Sequence, residues 1–72
     1  MNRNITDKNL YLILPGKVSR MAGMYAAEAG ISVNEALSRI YRSATYRELE
    51  HEESKLWHHS PVDLYHMVRE EE

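Results

Sequence analysis

Three of the four histidines, the single tryptophan and one of the two prolines fall within residues 55 to 67, KLWHHSPVDLYHM. Histidine near carboxylate is the raw material of a metal centre or a proton-transfer site. On a helix, two ligands share a face at i,i+3 or i,i+4 spacing, and Asp63 with His66 has that spacing. Adjacent His58 and His59 point to different faces, and His51 beside Glu52 stands further back. One spaced pair falls short of the three or four ligands of a zinc site. No metal and no cofactor are expected, and the histidines read as solvated or packed beside Trp57. Serine and histidine are both present, but without a nucleophile elbow or a phosphate loop. A chain of 72 residues also has little room to enclose a substrate. The expected function is therefore binding, with no catalytic residues.

Length sets the next constraint. A chain this short buries only ~60% of its extended surface and sits near the limit of independent stability. Cysteine is absent, which removes disulfides and thiolate metal sites and fits a reducing compartment. Self-association is the remaining source of extra stability, so a homodimer is expected. No apolar run approaches the ~18 residues that cross a bilayer. The opening MNRNITDKNL is too polar for a secretory signal, so the expected location is the cytoplasm, away from membranes.

The chain reads as one small domain, 1–72, with two halves of opposite charge. Residues 1 to 47 carry seven cations against three anions, and residues 48 to 72 carry two against eight, so the net charges are +4 and −6. A basic first half suits nucleic acid or dimer contacts, and an acidic second half suits a basic protein. Ordinary solvated helix faces give the same imbalance.

The elements that must position these residues follow from periodicity. NLYLIL, residues 9 to 14, is a short apolar run ended by Pro15-Gly16, and it reads as a strand or an extended arm. No second strand-like run exists, so a strand here would have to pair with another molecule. From Lys17 to Ala29, the residues Val18, Met21, Ala22, Tyr25 and Ala29 form one helical stripe, closed by Gly30 and Ile31. Ser32 and Glu35 then form a capping box. The helix it starts carries Val33, Ala36, Leu37, Ile40, Tyr41 and Ala44 on one face. Thr45 with Glu48 either caps a new helix or lies within a continuing one. Ser60, Pro61 and Asp63 spell another helix start, followed by Leu64, Tyr65, Met67 and Val68. The closing glutamates oppose the helix dipole, which predicts a frayed last turn.

The order of strand, helix ending at Gly30 and capped second helix resembles the ribbon-helix-helix class of bacterial DNA-binding dimers, over residues 9 to 44. The resemblance implies that two strands pair across a dimer and enter the major groove. Leu10, Leu12 and Leu14 would then face the core, and Asn9, Tyr11 and Ile13 the DNA. Ser32 and Val33 would approach the DNA backbone, with Lys8 and Lys17 available for phosphates. Base readout favours Arg, Lys, Asn, Gln or Thr, so a face with Asn9 and two largely apolar residues departs from the family pattern.

A second resemblance covers residues 32 to 68. The strings SATYRELE and SKLWHHSPVDLYHM look like those of short, mostly uncharacterised bacterial proteins often encoded beside toxin-like genes. Ser43, Thr45, Tyr46, Leu49, Lys55, Leu56, Trp57, Ser60, Pro61, Leu64 and Tyr65 carry the match. It implies an accessory protein of antitoxin type and implies no chemistry. Trp and Tyr are common interface anchors, which singles out Leu56, Trp57, Leu64 and Tyr65 as partner contacts. Trp57 reads equally well as the core of a small bundle.

The sequence thus predicts a mainly α protein: a short N-terminal strand or extended arm, then three or four amphipathic helices, in a dimer of ribbon-helix-helix type. Its expected role is to bind a protein partner, such as a cognate toxin, through the acidic half. DNA binding through Lys8, Asn9, Tyr11, Lys17 and Ser32 is the alternative.

Overall fold

The computed structural model describes residues 12 to 72, and these residues are mainly helical, with four α-helices and no strand among them. Helix α1 spans Leu14–Ala29 and buries Leu14, Val18, Met21, Ala22 and Tyr25 along one stripe. It starts three residues earlier than the periodicity suggests. Pro15 sits in the first turn, where its missing N–H costs no intrahelical bond and its fixed φ suits a helix. Leu14 is therefore helical and part of the core, and Leu12 and Ile13 form a turn, which corrects the end of the expected strand. Residues 9 to 11 of that strand lie outside the described residues.

Gly30 ends α1 in the left-handed conformation, φ 69°. The N–H groups of Gly30 and Ile31 both donate to the Ala26 carbonyl, at 3.0 and 3.2 Å. Ile31 then packs back on the core, as a helix stop of this kind requires. Helix α2, Val33–Tyr41, is capped by Ser32, whose Oγ accepts from Glu35 N at 3.0 Å. Ala36 and Ile40 are its buried residues. It stops short of Ala44 because Ser43 intervenes. The Ser43 hydroxyl donates to the Ile40 carbonyl at 2.6 Å and accepts from Tyr46 N at 3.0 Å, closing one helix and capping the next.

Helix α3, Ala44–Leu49, has only six residues. An isolated helix of that length has no stability in water. Glu71, from beyond the end of the last helix, supplies what it lacks. Its two carboxylate oxygens accept from Ala44 N at 2.8 Å and Thr45 N at 2.7 Å, and it is also bonded by the Thr45 hydroxyl. With Ser43 on Tyr46 N, the first three free N–H groups of α3 all have acceptors. Two 3₁₀ turns, Glu52–Ser54 and Leu56–His58, lead to α4, Pro61–Glu70. Ser60 caps α4 through Asp63 N at 3.1 Å, as Ser-Pro-x-Asp predicts.

Eleven apolar residues form the core among the described residues, with α2 and α4 packed on α1 and α3 bridging α2 and α4. At its centre the Tyr25 and Tyr65 rings pack at 5.7 Å, tilted by 59°. Their hydroxyls emerge at the edge of the core. Tyr65 OH donates to Glu28 at 2.6 Å and accepts from Arg69 at 2.8 Å. Tyr25 OH donates to Glu72 and accepts from Arg39 at 3.4 Å. Arg69 also lies 4.8 Å from the Tyr25 ring centroid, within cation–π range. Burial, then the bond to Glu28, pushes the Tyr65 phenol above its ordinary pKa, so it stays a neutral donor. Glu71 and Glu72 are thus docked, where the helix dipole alone predicted fraying.

Burial raises the Glu71 pKa, but the bonds from Thr45 and Ala44 and the charge of Arg47 outweigh it and hold the carboxyl below the usual range. A depressed folded pKa means that this stabilisation is complete above about pH 4.5 and is lost as pH falls through the lowered value. Glu71→Ala should cost about 1 kcal/mol, by analogy with other lost caps. Thermal melts at neutral pH should show a Tm lower by roughly 4–8 °C. The difference from the unmodified protein should close as the pH is taken below the Glu71 pKa.

Candidate functional site

Between α3 and α4 the chain must reverse within a few residues, and Lys55 makes the reversal. It is the one non-glycine residue with positive φ among those described, φ 64° and ψ 8°. A side chain in the left-handed region carries strain of roughly 1–3 kcal/mol, which the surrounding structure has to hold. Ser54 Oγ sets the approach: it lies 2.7 and 2.8 Å from the carbonyls of Glu48 and His51 and accepts from Leu56 N at 3.2 Å. His59 N closes the second turn on the Leu56 carbonyl at 2.9 Å.

This turn presents Leu56 and Trp57 half-buried, packed on the core from outside. The Trp57 indole stacks on the His58 imidazole, centroids 4.0 Å apart and planes at 23°. The Lys55 ammonium lies 6.0 Å from the Trp57 ring centroid. Lys17 of α1 fastens the far end of the turn by donating to the His59 carbonyl at 3.0 Å. Exposed Glu48, Glu50 and Glu53 stand on the approach to it.

Of the four residues expected to touch a partner, the structure separates two pairs. Leu56 and Trp57 share the turn at the surface. Leu64 and Tyr65 are 0% and 1% exposed inside the core, so neither can touch a partner unless α4 leaves its place. The Leu and Tyr of the apolar pattern that follows Ser60 are packing residues. Among the residues expected to meet DNA, Ser32 has its hydroxyl committed to capping α2, and Lys17 is tied to His59. These two stand at opposite ends of α1, roughly 20 Å apart at 1.5 Å per residue. Lys8, Asn9 and Tyr11 lie outside the described residues.

The histidines do not converge. His58 stacks on Trp57, and His66 packs at 5.7 Å from the Tyr65 ring. His59 Nδ1 lies 3.8 Å from Asp63 Oδ2, a pairing missed in the sequence because His59 precedes the helix. No group of three or more metal-ligating side chains occurs among the described residues.

One feature of this end of the molecule carries no sequence signature. A groove of about 310 Å³ lies where α1 and α4 begin, lined by Ile13, Gly16, Lys17, Arg20 and Pro61. Exposed Leu12 and Val62 adjoin two of its lining residues in the chain. The spacing of Lys17 and Arg20 shows a shared helix edge, but only tertiary packing brings Pro61 opposite it.

No protein-family model, curated protein or solved structure matches the chain. Also, no helix among the described residues is long and apolar enough to cross a membrane.

The left-handed turn at Lys55 makes a direct prediction. Lys55→Val places a β-branched side chain in that conformation and should lower stability by about 1–2 kcal/mol, whereas Lys55→Asn should fold with near-native stability. Denaturant midpoints of the two variants check this.

Proposed function

We propose that this protein is a non-enzymatic, antitoxin-like or regulatory binding protein of the cytoplasm that acts on a protein partner through its acidic C-terminal half. The observation that carries this reading is the Leu56–Trp57 turn. It holds the single tryptophan at the surface, fixed from one side by Lys55 and from the other by the Lys17–His59 bond. A large, half-buried aromatic on a constrained turn loses little entropy when a partner covers it, which is the usual character of an interface anchor. Exposed Glu48, Glu50 and Glu53, in the chain leading to it, add negative charge suited to steering a basic partner. In this reading the protein works as a homodimer, and Leu64 and Tyr65 support the turn from beneath rather than touching the partner.

The alternative is a ribbon-helix-helix transcriptional regulator. The observation in its favour is the hairpin of α1, Gly30 and α2, with Ser32 as the second helix's cap. It needs Lys8, Asn9 and Tyr11 as its DNA-facing residues. Salt-sensitive retention on duplex DNA, lost on replacing Lys8, Lys17 and Arg20, would favour it over the partner reading.

Co-expression with the protein encoded by the adjoining gene tests the first reading. Trp57→Ala should weaken the complex at least tenfold, with the circular dichroism spectrum and cooperative melt retained. Leu64→Ala should instead destabilise the fold by about 2–5 kcal/mol, as a buried leucine does. Undiminished binding by a folded Trp57→Ala variant would overturn the assignment.

A further inference from the structure

The groove between the starts of α1 and α4 has a chemistry of its own, separate from the Trp57 turn. Two of its five lining residues are cations, Lys17 and Arg20, and none is an acid. Lys17 uses one of its donors on the His59 carbonyl, which pins the ammonium at the groove and leaves two donors for a ligand. No ion pair or hydrogen bond among the described residues involves the Arg20 side chain. Gly16 lies in the first turn of α1 and Pro61 is the first residue of α4, so the positive ends of two helix dipoles add to the same field. The nearest carboxylate along α4, Asp63, is not among the lining residues and lies 3.8 Å from His59 Nδ1.

The walls decide between kinds of anion. Ile13 and Pro61 line the groove, and Leu12 and Val62, next to them in the chain, are 65% and 48% exposed. A sugar-phosphate backbone would satisfy the cations and leave those apolar surfaces in water. A peptide with carboxylates beside large apolar side chains satisfies both. At about 310 Å³ the groove has room for a few side chains of such a segment.

We propose that this groove is the docking site for an acidic, amphipathic segment of a partner protein. Its carboxylates pair with Lys17 and Arg20, and its apolar side chains seat against Ile13 and Pro61. The assignment does not rest on the role of Trp57, which serves another surface.

Gly16 offers a clean way to close the groove. A Cβ built there meets nothing within 4 Å, and its backbone is ordinary helix, so Gly16→Leu adds bulk at the groove lining without backbone strain and improves helix propensity. Exposed Arg20 can be reversed to Glu without touching the core. The test is selection from a displayed library of random 15-residue peptides on the full-length protein, followed by calorimetry of the synthesised winners. The expected winners combine Asp or Glu with large apolar residues. Gly16→Leu and Arg20→Glu should each weaken them at least tenfold, and Trp57→Ala should leave them unchanged. A 20-base-pair DNA duplex should not compete with them. The proposal is overturned if no peptide binds, if the winners lack acidic residues, or if Gly16→Leu binds them as well as the unmodified protein. Competition by the duplex would move the groove to nucleic acid and overturn it too.

Discussion

The carboxylate of Glu71 lies across the start of a six-residue helix, and the placement of residues 43 to 60 depends on it. Helix α3 contributes one fully buried apolar residue, Leu49, with Tyr46 packed against the core beside it, little to hold one and a half turns by packing alone. Its free N–H groups must be bonded, and the acceptors come from Ser43 before it and from Glu71, twenty-six residues further on than Thr45. The same carboxylate brings negative charge to the positive end of the α3 dipole. Where α3 goes, the two 3₁₀ turns follow, and with them Trp57.

Glu71 is in turn placed by the seating of α4 on α1. That seating combines burial and a polar edge. Tyr25 and Tyr65 each bury a ring and keep a hydroxyl that must find partners. Glu28, Arg39, Arg69 and Glu72 provide them, drawn from α1, α2 and the end of α4. Exposed ion pairs such as Arg39–Glu35 contribute little individually. Here the carboxylates and guanidiniums also give each of the two phenol hydroxyls an acceptor and a donor at the edge of the core. The chain therefore closes its small core with a rim of tyrosine hydroxyls and charges.

Local signals in the sequence carried over well into the structure. Gly30 as a helix stop, Ser32 as the cap on Glu35 N and Ser60-Pro61-x-Asp63 each act within four residues, so the pattern itself contains the geometry. The reciprocal half of the capping box does not form, since the Glu35 carboxylate pairs with Arg39. Other features depend on residues far apart in the chain. Ser43 breaks the second apolar stripe because its hydroxyl serves both sides of the break, whereas the periodicity alone runs through to Ala44. The glutamates at the C-terminus look like a dipole conflict until their partners on α1 and α3 are in place. Leu64 and Tyr65 share the crowded segment with Trp57, but the helix that Ser60 starts turns them inward. The left-handed Lys55 and the groove at Pro61 have no local signature, since both result from how α4 is brought back to α1.

The crowding in residues 55 to 67 thus divides into three parts: a helix start at Ser60, core residues at Leu64 and Tyr65, and a turn on which Leu56 and Trp57 lie half-buried against the outside of the core. The central claim is that the turn is a surface awaiting a cover. As the only tryptophan, Trp57 reports on this without any label. The deciding measurement is its emission and its quenching by acrylamide, in the free protein and after titration with the product of the adjoining gene. The account predicts solvent-accessible, readily quenched emission in the free protein, and a blue shift with loss of quenching on binding. Emission already blue and protected in the free protein, and unchanged when the complex forms, would contradict it.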